Sequence, residues 1–225
     1  MTPLAALALW AAAFVGSHLL MSHPLRAPLV SHLGERGFSA LYSLVSFVTF
    51  GLMVWNARRV GPESALWTAP DGIWLAATLL MWFASILLVG SFRNNPALPR
   101  PGAQVRRIGE ARGVFRITRH PMMWSFALWA IAHAAVWPEP STIIICAAIL
   151  LLALVGAAGQ DRKKERLVGQ PWHDWRARTS FLPFGRGLTL PDGFALVGGT
   201  LLFLVATWLH PVLGAPPVGP GRWFS

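Results

Sequence analysis

Four histidines stand within or at the ends of long uncharged stretches of this 225-residue chain: His18, His120, His133 and His210. No Asp, Glu, Lys or Arg interrupts those stretches, so imidazole is the one side chain there that titrates near neutral pH. An ionisable group placed in hydrocarbon is costly and marks a functional position. The plain alternative is a neutral ring hydrogen-bonded between helices. Neutral imidazole is also the usual protein ligand for haem iron, and a helical bundle can hold the macrocycle between helices that each offer one. Two such histidines on different stretches, His18 and His133 among them, therefore make a bound haem an expectation. Attachment would be non-covalent, because no CxxCH occurs.

Depth constrains that pair. His18 lies near the inner end of its stretch, ~6 Å above the boundary, whereas His133 lies ~18 Å above it, at ~1.5 Å per residue. A haem spanning both would be strongly tilted. His120 matches His18 better in depth, and His133 matches His210. His120 also precedes Pro121, which suits the first turn of a helix whose free N–H groups and dipole favour anions. Arg112, Arg116 and Arg119 precede it at helical spacing, which predicts one face of a short interfacial helix aimed at the same place. Together Arg112, Arg116, Arg119 and His120 are candidates to hold a haem propionate, a cofactor carboxylate or a lipid phosphate; a basic collar snorkelling to the headgroups is the simpler reading.

The elements that must position these groups are membrane helices. The chain is 54% hydrophobic and 12% charged, against about a quarter charged in soluble domains. Six uncharged stretches, residues 3–21, 38–56, 72–92, 121–137, 142–159 and 193–210, approach or reach the roughly 20 residues that one span needs. The expected fold is all-α: one polytopic transmembrane bundle over residues 1–225, about six spans, with cytoplasmic interfacial helices. WPEPS (137–141) reads as the turn of a helical hairpin. The start, MTPLAALALWAAAF, lacks a basic leader, so the first span reads as retained. The lone Cys146 sits in an apolar helix interior and permits no internal disulfide.

Charge sets the expected orientation. Of 19 Lys and Arg, 16 fall in the loops after the first, third and fifth spans, which places those loops in the cytoplasm and both termini outside it. The net charge of +10 then belongs to anionic lipid headgroups and not to nucleic acid. Most of the 12 tryptophans fall near span ends, as interfacial anchors; with Trp172 and Trp175, residues 160–184 suggest a helix lying on the membrane surface. Asp161, Glu165 and Asp174, among many cations, read as solvated ion-pair partners, with Asp161 and Glu165 alternatively orienting a ligand. His23, beside Pro24 and Arg26, reads as a polar helix end.

Taken in order, GSHLLMSHPLR, LGERGFSALYSLVSF, GVFRITRHPMMWSFALWAIAHA, DRKKERL, RTSFLPF and WLHP resemble the NnrU family of bacterial membrane proteins, whose plant relatives are zeta-carotene isomerases. The resemblance covers nearly the whole chain. It implies a polytopic membrane protein with a b-type haem that supports cis–trans isomerisation of a lipophilic polyene, and axial ligands at His18 and His133. His120 carries over as a motif residue without an assigned role. Plant relatives have Cys three positions before the second axial His, where Ala130 stands here, which leaves a thiolate ligand without support. Bacterial members are associated with denitrification. The RHP element and the acidic-basic stretch after it also resemble membrane methyltransferases of the isoprenylcysteine carboxyl methyltransferase type, in which Arg119, His120 and Glu165 would contact S-adenosylmethionine. A third expectation is a non-catalytic factor that delivers haem or assembles a respiratory complex.

Overall fold

The computed structural model describes residues 1–98 and 108–223. Residues 99–107, which carry three arginines of the loop between the third and fourth spans, lie outside the described residues, as do residues 224–225. The described chain is helical, without strands: α1 (Pro3–Ser22), α2 (Arg26–Ala57), α3 (Asp71–Ser91), α4 (Pro121–Val136), α5 (Pro140–Val168), α6 (Gln170–Arg178) and α7 (Gly193–Val212), with 3-10 turns at Gly113–Arg116 and Gly219–Trp223. Five of these helices are long and apolar enough to cross a bilayer, and α4, with 16 residues, is shorter.

The six apolar helices pack as a row in the order α2, α1, α5, α4, α3, α7, so that α5 stands between α1 and α4. Two clusters hold the row. Leu7, Ala11 and Val15 of α1 meet Met53 of α2 and Ala148 of α5. Ile86 and Leu87 of α3 meet Val114, Phe115, Ile117, Trp172, Trp175 and Ala195 at the arginine-rich end. In lipid the tails outside are as apolar as the side chains inside, so close approach of small residues replaces hydrophobic collapse. The buried positions of α4 and α5 include Ala127, Ala130, Ala132, Ala148, Ala153 and Ala157, while Leu44, Phe47, Leu201 and Val205 point outward. Gly199 of α7 lies against the backbone of Ile86 in α3, where a Cβ would collide with main-chain atoms.

Several boundaries differ from the sequence expectation. Residues 26–37 form helix, joined to the second span through Gly34 (φ 68°, ψ 170°), a backbone conformation open to glycine. Arg26 and Glu35 flank this break and pair across it at 2.9 Å, which holds the polar segment as a helix that hydropathy alone does not mark. Helix α5 runs nine residues past Gly159 into DRKKERLV, because its Arg, Lys and Glu residues keep helix propensity after hydropathy ends. Trp172 and Trp175 are buried at 0% and 2% exposure, so α6 is a packed helix and these two rings are core residues, not interfacial anchors.

Candidate functional site

The most polar buried constellation forms where α4 begins. His120 is the N-cap residue of α4 and Pro121 its first helical residue, as the RHP element implies. The approach is not an interfacial helix: Gly113–Arg116 makes one 3-10 turn, with Arg112 and Arg116 exposed and Arg119 buried. Spacing alone does not place the three guanidinia on a common face, because Gly113, at φ 54°, interrupts the helix they would need.

Arg119 forks onto Asp161 of α5, Nε to Oδ2 at 2.9 Å and Nη2 to Oδ2 at 2.7 Å, while His120 Nε2–H donates to Oδ1 at 3.0 Å. The Asp161 side chain is 7% exposed. It is therefore a buried counter-ion to the RHP element and not a solvated partner. It lies past the uncharged part of α5, at the arginine-rich face. Burial pushes its carboxyl up, but the hydrogen bonds and charges of His120 and Arg119 outweigh burial and hold it down at about 2.

Residues 179–181 close the constellation from above. Arg119 N–H donates to Ser180 O at 2.8 Å, Thr118 Oγ1 to Phe181 O at 2.7 Å, and Trp124 Nε1–H to the same Phe181 O at 2.8 Å. The Phe181 ring lies 5.3 Å from that of His120 and 5.4 Å from the Arg119 guanidinium carbon. This folded-in segment accounts for the brevity of α4: non-helical backbone is tolerated near membrane depth where protein buries it and satisfies its polar groups. ITRHP, DRKKER and RTSFLPF, far apart in sequence, are thus one structural unit. His120 Nδ1 is buried within it and has no partner among the described residues. Glu165, one turn beyond Asp161, pairs with Arg176, and Asp174 accepts from Gln170 at 2.8 Å.

The intramembrane histidines are organised differently. Nδ1 of His18 lies 2.7 Å from Phe14 O, that of His133 2.8 Å from Trp129 O, and that of His210 2.7 Å from Ala206 O, each one turn back in its own helix. A carbonyl only accepts, so Nδ1 carries the proton in all three and Nε2 keeps its lone pair. A backbone carbonyl fixing the far nitrogen is the usual support of a metal-binding imidazole. His18 sits between the rings of Phe14 (4.3 Å) and Tyr42 of α2 (5.2 Å), and His133 stacks on Trp129 at 4.1 Å. His133 lies within electrostatic range of His210.

The structure does not bring the predicted residues into one site. Arg119 and His120 meet; Arg112 and Arg116 are exposed on the same face; His18 is separated from His133 by α5. Among the described residues no group of three His, Cys, Asp or Glu side chains could hold a metal ion, a condition that two axial ligands of a haem need not meet. Sequence reasoning left out Tyr42, Trp129, Thr118 and Phe181. For Asp161 a signal existed: it and Glu165 are one turn apart at the end of a span, on a different face of α5 from Arg162 and Arg166.

Apolar helices packed in a row, with one polar clamp at their arginine-rich end, define a helical membrane bundle. The chain belongs to the NnrU family, matching NnrU protein over residues 6–217. It is similar to the 15-cis-zeta-carotene isomerase, chloroplastic, of Zea mays, 31% identical over 81% of this chain and 54% of that protein. It is similar also to the protein of that name in Arabidopsis thaliana, 28% identical over 68% of this chain and 42% of that protein. The chain thus spans about half the length of the curated relatives it matches. No solved structure matches it.

Proposed function

We propose that this protein is an integral membrane isomerase or oxidoreductase that acts on a lipophilic substrate drawn from the bilayer, with haem b held by intramembrane histidine. The observation that carries this reading is the shared geometry of the imidazoles, each with Nδ1–H bound to its own helix, which leaves the Nε2 lone pair to act as a metal ligand. Neutral imidazole with a fixed tautomer fits haem iron, and His18 or His133 would supply it from its own side of α5, since that helix stands between the two rings. When bound, the haem would provide a redox-active iron next to the hydrocarbon phase. Phe14, Tyr42 and Trp129 hold the two rings in place. Of the candidate arginines, Arg112 and Arg116 are exposed and would be available to an anionic cofactor group. The similarity to the plant isomerases favours cis–trans isomerisation over other chemistries. We place the arginine-rich face in the cytoplasm of a bacterial inner membrane and both termini on the other side.

Visible spectra of the purified protein, oxidised and reduced, test the cofactor. Soret and α-bands are expected after haem-replete expression, and His18→Ala or His133→Ala should disturb them, which tells the side of α5 that holds the iron; a featureless spectrum would end the reading. Bands that survive His18→Ala and vanish with His210→Ala would move the ligands to the His133 and His210 pair. The methyltransferase alternative is less favoured, because Arg119 and His120 Nε2 are engaged by Asp161 and Glu165 is paired with Arg176. Titration with S-adenosylmethionine should release no heat.

A further inference from the structure

A second feature of the arginine-rich face lies outside the polar clamp. Helix α5 presents Leu154, Val155, Ala158 and Gly159, then Arg162 and Arg166, along one stripe, and with His23 from the end of α1 they line a groove of about 450 Å³. The spacing 154, 158, 162, 166 repeats every four residues, which aligns these side chains along the helix. The groove therefore passes from hydrocarbon-depth aliphatic walls to a cationic mouth in about three turns.

The cations at that mouth lack counter-ions. The other face of the same helix turn is neutralised, since Asp161 pairs with Arg119 and Glu165 with Arg176. Neither Arg162 nor Arg166 pairs with a carboxylate among the described residues, and both are exposed. Burial first, and then Lys163, Arg166 and Arg162, hold the His23 imidazole below its usual range, so the groove concentrates positive potential around a neutral ring. Gly159 is what lets His23 approach, because a Cβ there would meet the imidazole.

We propose that this groove binds an anionic phospholipid of the adjoining leaflet, with its phosphate between Arg162, Arg166 and His23 and an acyl chain along Leu154, Val155 and Ala158. Two guanidinia without carboxylate partners beside hydrocarbon suit a phosphate better than a zwitterionic headgroup, whose ammonium they repel. The aliphatic walls select a ligand with a chain over a soluble anion.

Native mass spectrometry of the full chain, released from nanodiscs of equal phosphatidylglycerol and phosphatidylcholine, tests this. The wild type should retain phosphatidylglycerol at least fivefold over phosphatidylcholine. Arg162→Gln with Arg166→Gln should lose that preference, and Ala158→Phe, which fills the apolar wall without changing charge, should cut retention by a similar factor. Arg58→Gln with Arg59→Gln, an equal charge loss at the opposite end, should retain the preference. Circular dichroism confirms that each variant is folded before it is compared. Unchanged retention in the Arg162 and Arg166 variant overturns the proposal. So does equal loss in the Arg58 and Arg59 control, which would make net charge the cause, or displacement by millimolar glycerol phosphate, which would make the groove a site for soluble anions.

Discussion

Asp161 is the residue on which the arginine-rich end depends. It takes hydrogen bonds from both Arg119 and His120 while almost out of contact with solvent. Removing one member of a buried pair strands the other charge, which costs about 3–5 kcal/mol. Asp161→Ala should lower stability by that order in detergent unfolding monitored by circular dichroism, while Asp174→Ala, at an exposed pair, should change it by less than about 0.5 kcal/mol. The pH dependence follows from the depressed carboxyl. Its folded value, about 2, lies below the unfolded value near 4, so its contribution is complete above about pH 4 and is lost as pH falls toward 2. The stability gap between wild type and Asp161→Asn should therefore narrow below about pH 4, and a constant gap down to pH 2 would contradict the assignment. The histidines are legible as candidates from sequence, because charge is absent around them. Asp161 is misread as a solvated acid, because its burial depends on residues 179–181 folding back over α4, a contact that no local pattern encodes.

At the scale of elements, hydropathy locates the six apolar helices to within a few residues where lipid selects them, and fails where protein does. The segments 26–37 and 160–168 are polar yet helical, held by Arg26 with Glu35 in one case and by Asp161 with Arg119 in the other. Trp172 and Trp175 follow the composition of an interfacial helix but are buried against Val114, Phe115 and Ile117. The pairing of α3 with α7 rests on shape. Gly199→Leu should force the helices apart at Ile86 and destabilise the protein by about 1–3 kcal/mol, whereas Gly72→Ala, with open space around it, should be nearly neutral. Equal unfolding midpoints for the two variants would show that α3 and α7 do not depend on this approach.

The whole molecule carries its charge asymmetrically. The described parts of the loops that join α1 to α2, α3 to α4 and α5 to α7 share one end, and the opposite end gathers the described ends of the chain with residues 58–70 and 137–139. There Arg222 pairs with Asp71 at 3.2 Å, Leu66 N–H donates to Pro138 O at 2.9 Å, and Glu63 accepts from Ser141 N–H. Reporter fusions should place both ends of the chain outside the cytoplasm, and a cytoplasmic carboxyl terminus would reverse the orientation. Loop charge makes this asymmetry readable from sequence. The order of the row is not readable, because alanine-lined faces look alike until they are packed.

That order bears on biogenesis. A ribosome delivers the hairpin of α1 with α2 and then the hairpin of α3 with α4 before the helix that lies between them has been made. Until α5 emerges, the two hairpins share no principal contact and must wait side by side in the lipid, held near one another by residues 58–70. Nascent chains stalled just before residue 140 should yield two independently protease-sensitive halves, and lengthening the stall past residue 168 should lock them together in one step.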